Sequence, residues 1–209
     1  MTLPPFFHRL ARARRPAAFG PLLALLAVYA LLALAAAPSF RGAANLQTVA
    51  RQSAIVGMAS LGMTLVILAG GIDLSAGSTI ALTTVVIAWA VDRGLPPPAA
   101  AALGLGAAAA VGLAIGGLVT RLKVGPFIVS LGMMLLVRGL AKGLAGAQKI
   151  DAPATWLNTL LASRGGWLPP PGVWLTLLLA LLVAGLLRYT VFGRHVAAVG
   201  SNPAAARLC

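Results

Sequence analysis

The chain has 209 residues, of which 60% are hydrophobic and only 9% are charged, and its mean hydropathy is +0.96. Soluble domains usually contain about 25% charged residues, so this composition excludes an ordinary soluble protein and favours a membrane protein. Sixteen Lys and Arg residues face three acids, which gives a net charge of +13. The basic residues stand singly between apolar blocks, whereas nucleic-acid-binding proteins group them into a patch or stripe. We therefore predict no nucleic-acid partner.

The chain begins with a basic head, residues 1–20, which is followed by an uncharged Leu- and Ala-rich block at 21–38. A secretory signal peptide is the competing interpretation, because small residues at 35–37 resemble a cleavage site. Pro38 would directly follow the cut, and further apolar blocks come after it. We therefore predict an uncleaved first membrane span.

Apolar blocks of membrane length recur along the rest of the chain. A helix needs about 20 apolar residues to cross a hydrocarbon core of about 30 Å. Strands in lipid must close a barrel, and these blocks lack the period-two alternation of barrel strands. We therefore predict an all-α, polytopic transmembrane helical bundle. Its six predicted spans are residues 21–38, 54–72, 74–91, 99–119, 126–144 and 173–187.

Small residues are expected to bring these helices together. Gly112 and Gly116 in the fourth span share a helix face, as do Gly139 and Gly143 in the fifth, and such spacing lets backbones approach. Because the chain has 24 glycines, pairs of this kind also arise by chance. Generic helix packing is therefore the simpler interpretation than a specific dimer seam.

The positions of Lys and Arg predict the orientation, because positive residues concentrate on the cytoplasmic side. With the N-terminus in the cytoplasm, the nine inside residues are Arg9, Arg12, Arg14, Arg15, Arg121, Lys123, Arg188, Arg194 and Arg207. The six outside residues are Arg41, Arg51, Arg93, Lys142, Lys149 and Arg164. This bias predicts that the basic head and the polar tail, residues 188–209, are cytoplasmic, and that Asp73 lies near the inner face.

Asp73 lies between the second and third spans, shortly after Gly70 and Gly71, which loosen the backbone. Ser75 and Ser78 supply oxygens after it. An ionisable group at membrane depth is a functional candidate by default, here for a substrate pathway or gate. The alternative is structural: if Ser75 opens the third helix, the free N–H groups and dipole of that helix stabilise the Asp73 carboxylate.

Arg138, within the fifth span, is the second charged candidate. Snorkelling to the interface or pairing inside the bundle is one interpretation, and contact with a substrate is the other. Pairing of Asp73 with Arg138 or with a loop arginine is a further alternative.

No motif supports an enzyme. The sequence lacks Gly-x-x-x-x-Gly-Lys-[Ser/Thr], the loop that cradles phosphates, so ATP hydrolysis is not expected in this chain. Its histidines are His8 and His195 and its one cysteine is Cys209, so no cluster has metal-ligand spacing. One carboxylate in the spans cannot perform paired acid–base catalysis. We predict no catalytic residue, no metal and no cofactor.

The polar tail contains the pattern of a short helix preceded by Gly200. Ser201 or Asn202 can cap this helix, Pro203 suits its first turn, and residues 204–208 continue it. A short exposed helix of small residues suits insertion into a partner's groove. The alternative is an ordinary helix in a loop between two spans.

Three ordered segments carry a family resemblance: GMTLVILAGGIDLS at 62–75, VGPFIVSLGM at 124–133 followed by Arg138-Gly139, and GRHVAAVGSNPAAAR at 193–207. Together they resemble the permease subunit of ribose/xylose-type bacterial ABC sugar importers. The resemblance implies a multi-pass protein of the bacterial inner membrane that imports a simple sugar.

The resemblance also implies the partners. A periplasmic sugar-binding protein would deliver the substrate, a second permease copy would complete the pore within the membrane lipid, and a cytoplasmic ABC ATPase would hydrolyse ATP. Residues 200–208 would form the coupling helix that docks on this ATPase. The coupling residues implied by the resemblance are Gly193, Arg194, Gly200, Asn202, Pro203, Ala205 and Arg207. The candidates for the helix break or substrate pathway are Gly70, Gly71, Asp73, Ser75, Ser78 and Arg138.

Two alternatives remain open at this stage. Permeases of this family are longer and have further spans after the coupling loop, so the chain is expected to be truncated or a fragment, and it could bind the ATPase without transporting. The other alternative is a secondary transporter in which Asp73 binds an ion or proton at a helix break. A single intramembrane acid and the exposed tail argue against the secondary transporter.

Overall fold

The computed structural model describes residues 19–160, 162 and 168–208. The four arginines of the basic head, Arg164 and Cys209 lie outside these residues. All regular secondary structure in the described part is helical, which confirms the predicted all-α, polytopic bundle. The helices are α1 (Phe19–Ala35), α2 (Ala43–Leu68), α3 (Ala76–Asp92), α4 (Pro97–Leu122), α5 (Pro126–Leu144), α6 (Trp156–Thr159), α7 (Pro171–Tyr189), α8 (Val191–Ser201) and α9 (Pro203–Ala206).

Within the described residues, four helices are long and apolar enough to cross a membrane: α2 and α4 with 26 residues each, and α5 and α7 with 19 each. The apolar helices α1 and α3 have 17 residues each, about 26 Å at the usual helical rise. Each predicted span overlaps one of these six helices. Large apolar side chains point outward from them, such as Leu113 at 78% and Leu181 at 72% exposure, as expected of surfaces that face lipid.

The chain divides into two compact units. The first contains α1, a 3₁₀ turn at Pro38–Arg41 and the start of α2. In this unit the rings of Tyr29 and Phe40 pack with centroids 5.6 Å apart, and the Asn45 side chain donates a hydrogen bond to the Phe40 carbonyl at 2.8 Å. The second unit contains the described residues from Gln47 onward, and it holds all the candidate site residues.

The helix α2 is longer than its apolar block. It begins at Ala43 and continues through Arg51, whereas the sequence places the start of the span at residue 54. Arginine is a good helix former, so a charge marks where lipid ends without ending the helix. Hydropathy therefore gives the bounds of the lipid-embedded part and not those of the helix.

The helix α3 is the centre of the second unit and packs against α4 and α5. Leu82 of α3 meets Val111 of α4 and the buried Val137 and Ala141 of α5. The side chains buried between these helices are short, which lets the helices approach closely.

Gly104 of α4 is the point of closest approach to α3. A Cβ at this position would lie 2.5 Å from Ile87 Cγ1 and 3.2 Å from Thr83 Cγ2. By contrast, a Cβ added at any of the glycines paired by the sequence analysis would meet no atom within 4 Å. Those glycines are Gly112, Gly116, Gly139 and Gly143. They do not pack the described helices of this chain together.

We expect Gly104→Leu to lower the Tm of the detergent-solubilised protein by about 3–10 °C, because overpacking a filled contact costs about 1–3 kcal/mol. Gly106→Leu is the matched control, since Gly106 is exposed on the same helix with open space around it. Thermal unfolding followed by size-exclusion chromatography measures both variants. Equal Tm values for the two would contradict the packing at Gly104.

Candidate functional site

The chain between α2 and α3, residues 69–75, forms an ordered turn that we call the Asp73 break. Gly70 adopts φ +80° there, a conformation that glycine reaches without strain. The Gly71 amide donates to the Val66 carbonyl at 2.9 Å and so satisfies a free carbonyl at the end of α2. With the bonds from Ala69 to Leu65 and from Gly70 to Ile67, the amides of the break satisfy three carbonyls near the end of α2.

Asp73 organises the entrance to α3. Its Oδ1 accepts a hydrogen bond from the Ser75 amide at 2.7 Å and another from the Ser75 hydroxyl at 2.6 Å. These bonds fix the turn before the first residue of α3, where the positive end of the helix dipole also favours a carboxylate. Within the described residues Asp73 forms no ion pair, so the alternative of pairing with Arg138 is wrong. The geometry favours the structural interpretation of Asp73.

A hydrogen bond from α5 holds the middle of the break. The hydroxyl of Ser130, which is fully buried, lies 3.1 Å from the Ile72 carbonyl oxygen and 3.1 Å from the Phe127 carbonyl oxygen. At the same end of α5, a Cβ added at Gly71 would lie 3.9 Å from Pro126 Cβ. No local sequence signal identifies Ser130, because 58 residues separate it from Ile72.

Ser78 differs from the other buried serines. Ser75, Ser78 and Ser130 are each at most 1% exposed, yet Ser78 Oγ has no hydrogen-bond partner in the part of the chain that the structure describes. Ser78 lies one helical turn before Leu82, on the face of α3 that packs in the core. It therefore belongs to the helix contact and not to the break.

A cleft of about 260 Å³ opens beside the break, between α2, α3 and α4. Asp73 and Thr79 contribute polar atoms to it, and Gly62 and Gly112 are among its small lining residues. Pockets for drug-sized ligands usually measure about 300–1,000 Å³, so the volume of this cleft is slightly below that range.

Arg138 is exposed on α5 and lies apart from Asp73. The N-terminal end of α5 adjoins the break at Pro126, and Arg138 lies about 18 Å further along the helix axis. The Arg138 backbone is about 9 Å along the axis from the other end of α5, a distance compatible with snorkelling of its long side chain. A pathway role for Arg138 stays a prediction.

The helix α8 folds back tightly on α7. Thr190 Oγ1 accepts a hydrogen bond from the Gly193 amide at 3.3 Å and donates one to the Leu186 carbonyl at 2.5 Å. Gly193 is buried in this turn, where an added Cβ would overlap the backbone of Leu187. The sequence predicts Gly193 as a coupling residue, and the structure gives it a packing role.

The predicted cap of the last helix is confirmed. Asn202 Oδ1 accepts hydrogen bonds from the amides of Ala204 at 3.1 Å and Ala205 at 3.0 Å, and Pro203 occupies the first turn. Two predicted details were wrong: Gly200 lies in the last turn of α8, and α9 ends at Ala206 instead of continuing to residue 208.

The surface of α8 and α9 is largely accessible. Among the coupling candidates, the exposed residues are Arg194, Asn202, Pro203, Ala205 and Arg207. A groove of about 540 Å³ runs between the two helices, lined by His195, Ala198, Val199, Ser201, Asn202, Ala205 and Ala206. Its walls are mostly small side chains, which leaves space for side chains of a partner.

Gly200 brings the Asp73 break and the tail together. A Cβ added at Gly200 would overlap the Leu68 carbonyl oxygen and lie 3.2 Å from the Ala69 carbonyl carbon. From the other side, a Cβ added at Gly70 would lie 3.5 Å from the Gly200 Cα. The last turn of α8 thus rests with bare backbone on the backbone of the break.

A second cavity, of about 410 Å³, lies near the opposite end of α3. Thr84 and Ile87 line its α3 side, and Asn158 lines it from the short helix α6. Arg51 is its one charged lining residue among those that the structure describes. Sequence reasoning missed this cavity because its lining residues are far apart in the chain.

The fold and the site define a multi-pass membrane protein with an ordered break between two spans and an exposed, capped C-terminal helix. Residues 45–209 match the model of the family described as branched-chain amino acid transport system / permease component, and the chain belongs to this family.

The relatives that match the chain include two sugar import permeases and an ABC transporter permease. The chain is 36% identical over 188 residues to the ribose import permease protein RbsC of Bacillus subtilis, covering 90% of this chain and 58% of the relative. It is 38% identical over 177 residues to the fructose import permease protein FrcC of Rhizobium meliloti, covering 81% and 49%. It is 36% identical over 198 residues to the inner membrane ABC transporter permease protein YjfF of Escherichia coli, covering 90% and 59%. No solved structure matches the chain.

These comparisons confirm the predicted permease family, and the membrane-length helices agree with the predicted multi-pass protein of the inner membrane. The chain spans less than two thirds of the length of these relatives. The roles of the individual site residues stay predictions.

We expect alanine substitutions at Ser130 and at Ser78 to have different effects on stability. Ser130→Ala removes the donor to Ile72 and should lower the free energy of unfolding by about 0.5–1.5 kcal/mol. Ser78→Ala removes an unpaired buried hydroxyl and should leave stability unchanged or raise it. Denaturant or thermal unfolding in detergent measures both, and equal destabilisation would contradict the hydrogen-bond assignment.

We expect Asp73→Ala to destabilise the protein by about 0.5–2 kcal/mol, the usual effect of losing a side-chain acceptor at a helix entrance. Asp73→Asn keeps an acceptor oxygen and should lose less than half as much. Stability measured in the same detergent tests the pair. A loss for Asn equal to that for Ala would show that the negative charge, and not the turn, matters.

Proposed function

We propose that the chain is the transmembrane permease subunit of an ABC importer for a simple sugar, a ribose-, xylose- or fructose-like monosaccharide. The observation that carries this proposal is the family match across residues 45–209. Its description refers to branched-chain amino acids, but the relatives at 36% and 38% identity are named for ribose and fructose import. Sugar is therefore the favoured substrate class.

In this proposal the permease supplies the path and its partners supply specificity and energy. A sugar-loaded periplasmic binding protein docks on the outer face, and substrate passes between two permease copies embedded in lipid. A cytoplasmic ATPase drives the change between outward- and inward-facing states. ATP can do so only if the partners bind the two states with different affinities.

The α8–α9 surface is the proposed docking site for the ATPase. Its exposed Arg194 and Arg207 belong to the residues that the charge bias assigns to the cytoplasm. The small side chains along its groove also suit the insertion of one protein surface into another. Arg194, Asn202, Pro203, Ala205 and Arg207 act there as contact residues, while Gly193 and Gly200 shape the segment.

Contacts at the two ends of α3 support the proposed orientation. The Asp73 break meets the first residue of α5 and Gly200 of α8, all of which the charge bias assigns to the inner side. Arg51 and Asn158 meet at the cavity near the other end, which the same bias assigns to the outer side. The contacts at the two ends of α3 thus agree with the inner and outer sides that the charge bias assigns to these segments.

The ATPase encoded beside the gene should co-purify with the full chain from membranes. Ala205→Asp should reduce this capture at least about tenfold, because an unpaired charge buried in an interface costs about 2–5 kcal/mol. Ala154→Asp is the matched control, since Ala154 is an exposed alanine in the loop that the proposal assigns to the other side. Equal capture by both variants would contradict docking on α9.

Uptake distinguishes the substrate and the energy source. Vesicles that contain the complete importer should take up ribose or fructose in preference to leucine, and they should continue to do so when ion gradients are collapsed but ATP is present. Uptake that depends on a gradient would instead support a secondary transporter. Capture of the ATPase without any uptake would support the non-transporting fragment.

A further inference from the structure

We propose that Gly70 and Gly200 form a mechanical joint, which transmits movement of the α8–α9 segment to the Asp73 break and from there to α3 and α5. The use of this joint in transport rests on the proposed function, whereas its existence rests on contacts within this chain.

The joint depends on direct contact between two backbones. Gly200 has no space for a Cβ, because the carbonyl of Leu68 occupies that position, and the Ala69 carbonyl carbon is close by. Gly70 faces Gly200 with a positive φ of 80°, which side-chain-bearing residues rarely adopt. With two glycines and no intervening side chain, a displacement of one backbone is passed directly to the other.

The break passes such a displacement to two helices. The hydrogen bond between Ser130 and the Ile72 carbonyl ties it to α5. On the other side, Asp73 ties it to Ser75 at the entrance of α3. Because α3 and α5 share a packed core, the break and the two helices form one continuous set of contacts.

The helix α8 has the geometry of a lever. Its first turn is fixed to α7 through Thr190 and Gly193. Its last turn contains Gly200 and leads directly to Asn202, which caps α9. A partner that pulls on α9 therefore acts on the end of α8 that carries the joint.

The test of the joint uses the full chain in detergent, with Cys209→Ser as the background. Ile72→Cys reports on the break, because Ile72 is 53% exposed. Leu122→Cys, at the end of α4 and 64% exposed, is the reference site. The rate of maleimide labelling is measured at each site with and without Gly200→Ala.

The labelling rate at Ile72→Cys should change at least about twofold with Gly200→Ala, the size expected for residues coupled through contacts. The rate at Leu122→Cys should not change. Gly185→Ala, a glycine of α7 with open space around it, should leave both rates unchanged. Gly70→Ala is the second variant and should also change the rate at Ile72→Cys.

Unchanged labelling of Ile72→Cys in both Gly200→Ala and Gly70→Ala would overturn the joint. Equal changes at Ile72→Cys and Leu122→Cys would overturn it as well, since they indicate general unfolding.

A second experiment tests whether the joint is used. In membranes with the neighbouring ATPase, a non-hydrolysable ATP analogue should change the labelling of Ile72→Cys in the parent chain. The Gly70→Ala variant, whose change lies outside the α8–α9 docking surface, should still capture the ATPase but lose this response. A response that persists in Gly70→Ala would overturn transmission through the joint. Failure of the parent chain to capture the ATPase would instead sink the proposed function, and the detergent experiment alone would then decide whether the joint exists.

Discussion

A helix that breaks among apolar helices must satisfy the backbone groups that it frees, because lipid supplies neither donors nor acceptors. The turn from 69 to 75 meets this requirement with groups from its own chain and from α5. The Gly71 amide donates a hydrogen bond to the Val66 carbonyl, and the Ser75 amide donates one to the Asp73 carboxylate. The Ile72 carbonyl lies within hydrogen-bond distance of the Ser130 hydroxyl. The position of α5 relative to α3, and the place where α8 comes to rest, both depend on the shape of this turn. The Asp73 carboxylate can therefore be required for the shape of this turn without contacting a substrate.

The parts of the structure that follow local rules could be predicted from the sequence. The helical bundle follows from the length of the apolar blocks, and the Asn202 cap follows from one side chain and the amides that come two and three residues later. The start of α2 could not be predicted in this way, because hydropathy records where lipid begins and Arg51 does not interrupt a helix. Of the candidate site, the break and the position of Asp73 beside the start of α3 were accessible, since Gly70, Asp73 and Ser75 are neighbours in sequence.

Contacts between distant segments were not accessible from a single sequence. Nothing near Ser130 indicates that it binds a carbonyl 58 residues away. Spacing alone made Gly112, Gly116, Gly139 and Gly143 look like packing residues, yet an opposing helix packs against Gly104, which the spacing did not identify. Whether a glycine packs depends on what lies across from it, and a periodic pattern in one helix carries no information about the opposing surface. The approach of Gly70 to Gly200 could not be predicted for the same reason, because neither segment carries information about the surface opposite it. Both glycines nevertheless belong to the segments that carry the family resemblance.

The length of α2 has a consequence for the bilayer itself. Twenty-six residues extend about 39 Å, which exceeds a hydrocarbon core of about 30 Å. Tilting alone would require an angle near the upper end of the usual range of about 0–40°. The first turns of α2 contain Asn45 and Arg51, polar side chains that are stable among lipid headgroups and water, whereas Gln47 is buried and donates a hydrogen bond to the Leu168 carbonyl. The helix therefore accommodates the mismatch by extending its polar first turns beyond the hydrocarbon core. The length of helix outside the core changes with the thickness of the surrounding lipid.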